Sequence, residues 1–154
     1  MIAELVHTFL LSISPFGEAR VGIPYGIVQG LNPILVFVVG LGANLLVYPI
    51  FKYLLDNFDS KLWKYRPYKK QSIKMARRAK SGVGKSIKKY GFWGLMVFVM
   101  IPLPVTGAYM GTIASHIFKI KRRKAFLAIS LGVTISCTLM AVGSYLSKMG
   151  IELL

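Results

Sequence analysis

The chain has 154 residues, 55% of them hydrophobic, and carries 20 Lys and Arg against 5 Asp and Glu, a formal net charge of +15 at a mean hydropathy of +0.58. Charge and apolarity are segregated: no charged residue occurs from Val21 to Phe51, from Tyr90 to Phe118 or from Ala125 to Ser147, and about 20 apolar residues suffice to cross a hydrocarbon core. One soluble core could not bury all three stretches, and the single cysteine, Cys137, excludes an intrachain disulfide and argues for a helix-packing residue rather than a metal ligand.

The length suits one domain. The apolar N-terminus lacks the basic leader and small-residue cleavage site of a removable signal peptide, so it is expected in the mature fold. A short apolar leg from Ile2 to Ile13 meets a break at Ser14, Pro15, Phe16 and Gly17, and a second leg ends near Gly30 to Pro33. This pattern predicts a re-entrant hairpin over residues 2–31, followed by a transmembrane helix over 33–55.

Residues 56–89 form a basic linker. Thirteen Lys and Arg lie between Lys52 and Lys89, and five more lie between Lys119 and Lys124; the positive-inside rule places both clusters in the cytoplasm. Ile73, Ala76, Val83, Ile87 and Tyr90 recur at helical spacing among the cations, which predicts either an amphipathic helix on the anionic membrane surface or a solvated topogenic loop. Basic residues interleaved with Trp63, Tyr65 and Tyr68 resemble a nucleic-acid surface, but a loop tethered beside lipid is a poor place for one. The Gly-Lys-Ser ending at Ser86 lacks the first glycine and the preceding strand of a phosphate-binding loop.

With both basic clusters on one side, Tyr90 to Phe118 must leave and return on that side. Pro102 and Pro104 interrupt the run, since proline removes a helix donor and clashes with the preceding turn. Legs of about 12 residues reach only ~18 Å, roughly half the bilayer. A second re-entrant hairpin over 90–118 is therefore expected, followed by a transmembrane helix over 125–147; the alternative is one kinked spanning helix. The expected fold is an all-α integral membrane protein of two inverted-topology repeats, each a re-entrant helical hairpin followed by a transmembrane helix, a recurrent transporter plan.

Glu18 and Arg20 flank the first break, and an ionisable residue at membrane depth marks function unless it is paired structurally. Both readings stand: an ion-carrying site, or a structural pair pinning the hairpin tip. Pro24 cannot donate to the Arg20 carbonyl, which frees that oxygen, while Gly17, Gly22 and Gly26 permit close backbone approach. In the second hairpin Thr106 can cap the returning helix, and uncovered amides at Thr106 and Gly107 can receive an anion. If the tips meet, two helix N-termini, Arg20 and Thr106 converge on one spot suited to an anionic group. Gly40, Asn44 and Tyr48 share one helix face, and Ser130, Thr134 and Thr138 another; such faces suit helix packing or a pore lining, with Asn44 the candidate for the latter. His7 and His116 are isolated near segment ends. No nucleophile and base arrangement points to an enzyme.

The strings Gly17-Glu18-Ala19-Arg20-Val21-Gly22-Ile23-Pro24 and Pro102-Leu103-Pro104-Val105-Thr106-Gly107-Ala108-Tyr109-Met110-Gly111 resemble, with nearly the whole chain, the family labelled putative small multidrug export proteins. That family looks like a compact relative of the DedA and VTT superfamily, whose members carry opposed re-entrant hairpins and move lipids or lipid-linked phosphates, often with proton coupling. Glu18 matches the acidic position of the first motif; the second hairpin departs by lacking the DedA arginines, which weighs against a phosphate substrate. The resemblance implies a small secondary transporter or lipid flippase in the cell membrane, coupled to protons or sodium through Glu18. Its substrate or ion site would draw on Gly17, Glu18, Arg20, Gly22, Pro24, Asn44, Pro102, Pro104, Thr106, Gly107 and Tyr109. Expected partners are membrane lipids, a small-molecule or lipid-linked substrate and a second copy in a dimer, with no cofactor and no nucleic acid. A cation exporter and an uncoupled scramblase or membrane organiser are the alternatives.

Overall fold

The computed structural model describes residues 2–62, 87, 89–102 and 107–152. Six helices account for most of these: α1 (Ile2–Ile13), α2 (Glu18–Val28), α3 (Pro33–Leu62), α4 (Phe92–Met100), α5 (Ala108–Ile117) and α6 (Arg122–Glu152). No strand occurs among the described residues. The amphipathic linker helix expected between Ile73 and Tyr90 lies largely outside them, as do Pro104 and Thr106.

Local chemistry sets the boundaries. Asn32 caps α3, its Oδ1 accepting from the amides of Ile34 at 2.9 Å and Leu35 at 3.4 Å, and Pro33 at the first helical position loses a donor that would have had no partner. The short helices α2 and α5 end alike. The amide of Gly30 donates to Ile27 O at 3.1 Å and that of Leu31 to Gly26 O at 3.2 Å, while Lys119 donates to His116 O at 3.2 Å and Ile120 to Ser115 O at 2.9 Å. Both are Schellman endings, turned by a left-handed residue, Gly30 at φ 81° and Lys119 at φ 52°. A shift of 89 residues carries Gly30 onto Lys119 and Pro33 onto Arg122, the starts of the two long helices.

Those helices, α3 and α6, are long and apolar enough to cross a membrane, over Pro33–Asn57 and Arg122–Gly150. Both exceed the expected 33–55 and 125–147: each continues into its basic end, and α6 also runs past Ser147 at the other. At ~1.5 Å per residue, either is about 45 Å long against a hydrocarbon core of ~30 Å.

They run antiparallel. Tyr48 donates to Arg122 O at 3.2 Å and its ring meets Phe126 at 5.7 Å, whereas at the opposite end Lys148 Nζ donates to Ile27 O at 3.3 Å. Around this pair, α1 packs on α3 as α4 packs on α6, and α2 packs on α6 as α5 packs on α3. Small residues set these approaches: a Cβ at Gly132 of α6 would lie 2.8 Å from the Met96 carbonyl oxygen of α4. Ile23, Ile27, Val36, Val47, Leu95, Val99, Ile129 and Val133 fill the shared core. Leu127, Leu131, Leu139, Val142 and Leu146 are exposed along α6, an apolar stripe suited to lipid.

At the basic end, Asp56 gathers three elements. It pairs with Lys52 at 2.5 Å and with Arg122, and lies 3.7 Å from His116 Nδ1. His116, expected to be isolated, thus ties α5 to α3. The polar face of α6 also differs from expectation: Thr134 and Thr138 bond back to the carbonyls of Ser130 and Thr134, and Thr138 is exposed. Hydroxyls satisfied within their own helix can face outward, and this face passes from partly buried at Ser130 and Thr134 to exposed at Thr138. Gly40, Asn44 and Tyr48 are buried as a packing face should be.

Candidate functional site

Short helices that stop inside a protein leave amides at one end and carbonyls at the other without intrahelical partners, and lipid cannot satisfy them. Here the breaks of the two halves meet and satisfy one another. The Glu18 carboxylate accepts from the Tyr109 amide at 3.3 Å and also faces the Ala108 amide, covering the N-terminus of α5. Arg20, one turn-face away, donates from Nη2 to Val99 O at 3.0 Å and Ile101 O at 3.2 Å, covering the C-terminus of α4. Its Nε reaches Ser136 Oγ on α6 at 3.3 Å. Anion at an N-terminus and cation at a C-terminus is the arrangement helix dipoles favour.

Tyr109 completes the exchange by donating from its hydroxyl to Ile13 O, the end of α1, at 2.5 Å. Thus the first turns of α2 and α5 each hold the frayed end of the other half's first short helix. Ser136 and the Val99 and Ile101 carbonyls were not anticipated; Ser136, one of the few polar residues in its run, was the available signal.

Glu18 and Arg20 thus hold the start of α5 and the end of α4, and their charges also act on each other. Glu18 takes up the Ala108 and Tyr109 amides that open α5; the N-cap is Gly107, which offers no side-chain bond, and Thr106, expected to cap this helix, lies outside the described residues.

Holding this contact requires an unusual backbone at Glu18, whose φ is 52°. A left-handed non-glycine residue costs about 1–2 kcal/mol, whereas a hydrogen bond to a charged group contributes about 1.5–3 kcal/mol. The carboxylate contact is thus of a size to offset the strain. Glu18 is 7% exposed.

Beside these groups lies a cavity of about 470 Å³. Glu18, Arg20, Gly17, Pro102, Gly107 and Tyr109, all expected at the site, line it, with Phe16, Val21, Phe51 and Ile113 supplying apolar surface. Phe16 is 96% exposed. Gly22, Pro24 and Asn44 do not line it: Gly22 packs on Ser12 and Thr8 of α1, Pro24 sits half-buried within α2, and Asn44 is buried where α3 meets Cys137. Among the described residues, no group of three His, Cys, Asp or Glu side chains could hold a metal ion.

The match to known families decides the class. A family model described as "Putative small multi-drug export protein" covers residues 18–139. The chain belongs to this family. The matched region of the small multi-drug export family begins at Glu18 and runs into α6, so it contains Glu18, Arg20, the second helix break and the cavity residues from Glu18 onward. Family and long apolar helices together make this a membrane protein. No curated protein and no solved structure matches the chain.

Proposed function

We propose that the chain is a small secondary transporter that moves lipophilic molecules through the cavity beside Glu18, with a proton or sodium ion carried at that carboxylate. One observation carries the reading: a buried acid forms part of the wall of a mostly apolar cavity. Arg20 donates to the carbonyls that end α4, and export of lipophilic molecules is consistent with the family description.

In this reading the halves are inverted repeats. The antiparallel long helices, the matched helix endings and the reciprocal contacts at the breaks support it, with α1–α2 and α4–α5 as re-entrant hairpins whose tips meet near the midplane. Residues 56–89 and the Asp56 end would then be cytoplasmic.

A DedA-like lipid flippase is the second reading, favoured by Phe16. Its exposure beside the cavity gives an acyl chain a direct way in from the bilayer. Proteoliposomes containing a lipophilic cationic dye and a fluorescent phospholipid distinguish the readings. Dye export driven by a proton or sodium gradient supports the exporter; gradient-driven phospholipid movement supports the flippase. Phospholipid movement indifferent to either gradient would indicate a scramblase, and neither flux exceeding that of empty liposomes would overturn transport.

A further inference from the structure

The 89-residue shift that matches the helix endings also carries Glu18, the first residue of α2, onto Gly107, the N-cap of α5. Their backbones are the reverse of what conformation alone would choose. Glu18 has φ 52°, a region glycine enters freely and glutamate does not, while Gly107 has φ −121° and ψ −158°, extended values open to any residue. Backbone freedom therefore does not account for the glycine.

Space does. A Cβ built on Gly107 would fall on the Glu18 carboxylate, and the three atoms nearest to it all belong to that side chain. The carboxylate of one half occupies the place where its counterpart in the other half would carry a side chain. We infer that the two halves share a single carboxylate seat between the N-termini of α2 and α5, and that Gly107 is a positioning residue kept bare so that Glu18 can fill it. The inference concerns which half supplies the acid and stands apart from the transport reading.

A thermal-unfolding cycle on the purified full chain tests it, with Gly107→Ala, Glu18→Gly and the double variant. Gly107→Ala is expected to lower Tm by several degrees in the native background and to cost little once Glu18→Gly has emptied the seat. Gly132→Ala serves as the control, since its Cβ meets α4 rather than Glu18, and its loss should be equal in both backgrounds. Labelling of Glu18 by a hydrophobic carbodiimide, followed by peptide mass spectrometry, adds a readout that general destabilisation would not reproduce: Gly107→Ala should change it several-fold and Gly132→Ala should not. Equal losses for Gly107→Ala in both backgrounds, or unchanged labelling, would overturn the positioning role.

The exchanged chain, Glu18→Gly with Gly107→Glu, tests the sharing. It places each residue in a backbone it tolerates and should recover Tm above that of Glu18→Gly alone. No recovery would overturn the shared seat. Should Glu18→Gly fail to fold, the exchanged chain decides alone: a folded product supports the inference and an unfolded one defeats it.

Discussion

Arg20 near the start of α2 and Tyr109 near the start of α5 each reach across to the carbonyl end of a short helix, α4 for Arg20 and α1 for Tyr109. Arg20 holds Val99 O and Ile101 O; Tyr109 holds Ile13 O. The reciprocity explains how two interrupted helices can sit side by side in an apolar medium: each break is filled by the other. The two contacts differ in charge. A neutral hydrogen bond contributes about 0.5–1.5 kcal/mol and one to a charged group about 1.5–3 kcal/mol. Tyr109→Phe is therefore expected to lower stability by ~1 kcal/mol, and Arg20→Met by at least twice that, because two carbonyls are released. Unfolding of both variants in the same detergent checks the ratio; equal losses would mean that Arg20's bonds do not hold the second break.

Removing Asp56 should expose the repulsion it suppresses. Lys52 and Arg122 both bond to it and His116 stands 3.7 Å away, so Asp56→Asn leaves two cations and an imidazole facing a neutral amide. Exposed ion pairs contribute only ~0–1 kcal/mol each, which sets the expected loss at about 1–2 kcal/mol for this cluster. The defect should shrink as salt is raised, since the Debye length falls from ~10 Å at 0.1 M to ~3 Å at 1 M. A defect independent of salt would show that the cluster acts by shape rather than charge.

The long helices were legible because their signal is composition over more than twenty residues, which neighbours cannot override. Their starts were legible in part: Asn32-Pro33 is a local capping code, while α6 begins at Arg122, inside a cluster that marks only a side of the membrane. The breaks at Gly17 and Pro102 announced themselves through glycine and proline. What filled the breaks did not, because Arg20 meeting Val99 and Ile101, or Glu18 meeting Tyr109, are contacts across some eighty to ninety residues with no local trace. Arg20 next but one to Glu18 suggests a pair, but gives no sign that both side chains also reach helix ends carrying the opposite partial charge. Asn44 stands out for its polarity in an apolar run; it is buried beside Cys137 and away from the cavity, a position no local signal gives.

The proposed orientation predicts which ends an impermeant thiol reagent reaches. Cys137 is 2% exposed, so a Cys137→Ala background supplies a silent chain. Cysteines at Lys121 and Gln29, both exposed and at opposite ends of the antiparallel pair, should behave oppositely in intact cells: Gln29→Cys labelled at once, Lys121→Cys only after permeabilisation. Labelling of Lys121→Cys from outside would reverse the orientation, and labelling of both positions from one side would remove the membrane-spanning arrangement of α3 and α6.

Glu18 is where structural and transporting roles come apart. A carboxylate that serves only to cover the α5 amides can be replaced by an amide of the same length, since the glutamine carbonyl accepts the same bonds, losing the charge-assisted part, about 1–2 kcal/mol. A carboxylate that carries a proton cannot be so replaced, because the amide does not titrate in any accessible range. Glu18→Gln is therefore expected to remain folded with a small loss of Tm while gradient-driven flux falls to the level of empty liposomes. Glu18→Asp keeps a titratable group but shortens its reach to the Tyr109 amide, already 3.3 Å away, and should retain part of the coupled flux at a larger cost in stability. Both quantities must be read on the same purified protein. The opposite ordering, with flux following stability across Glu18→Gln and Glu18→Asp, would make the carboxylate a helix cap and nothing more. Coupling would then have to be sought at Glu4, in the first turn of α1, since Asp56 pairs with Lys52 and Arg122 and does not line the cavity.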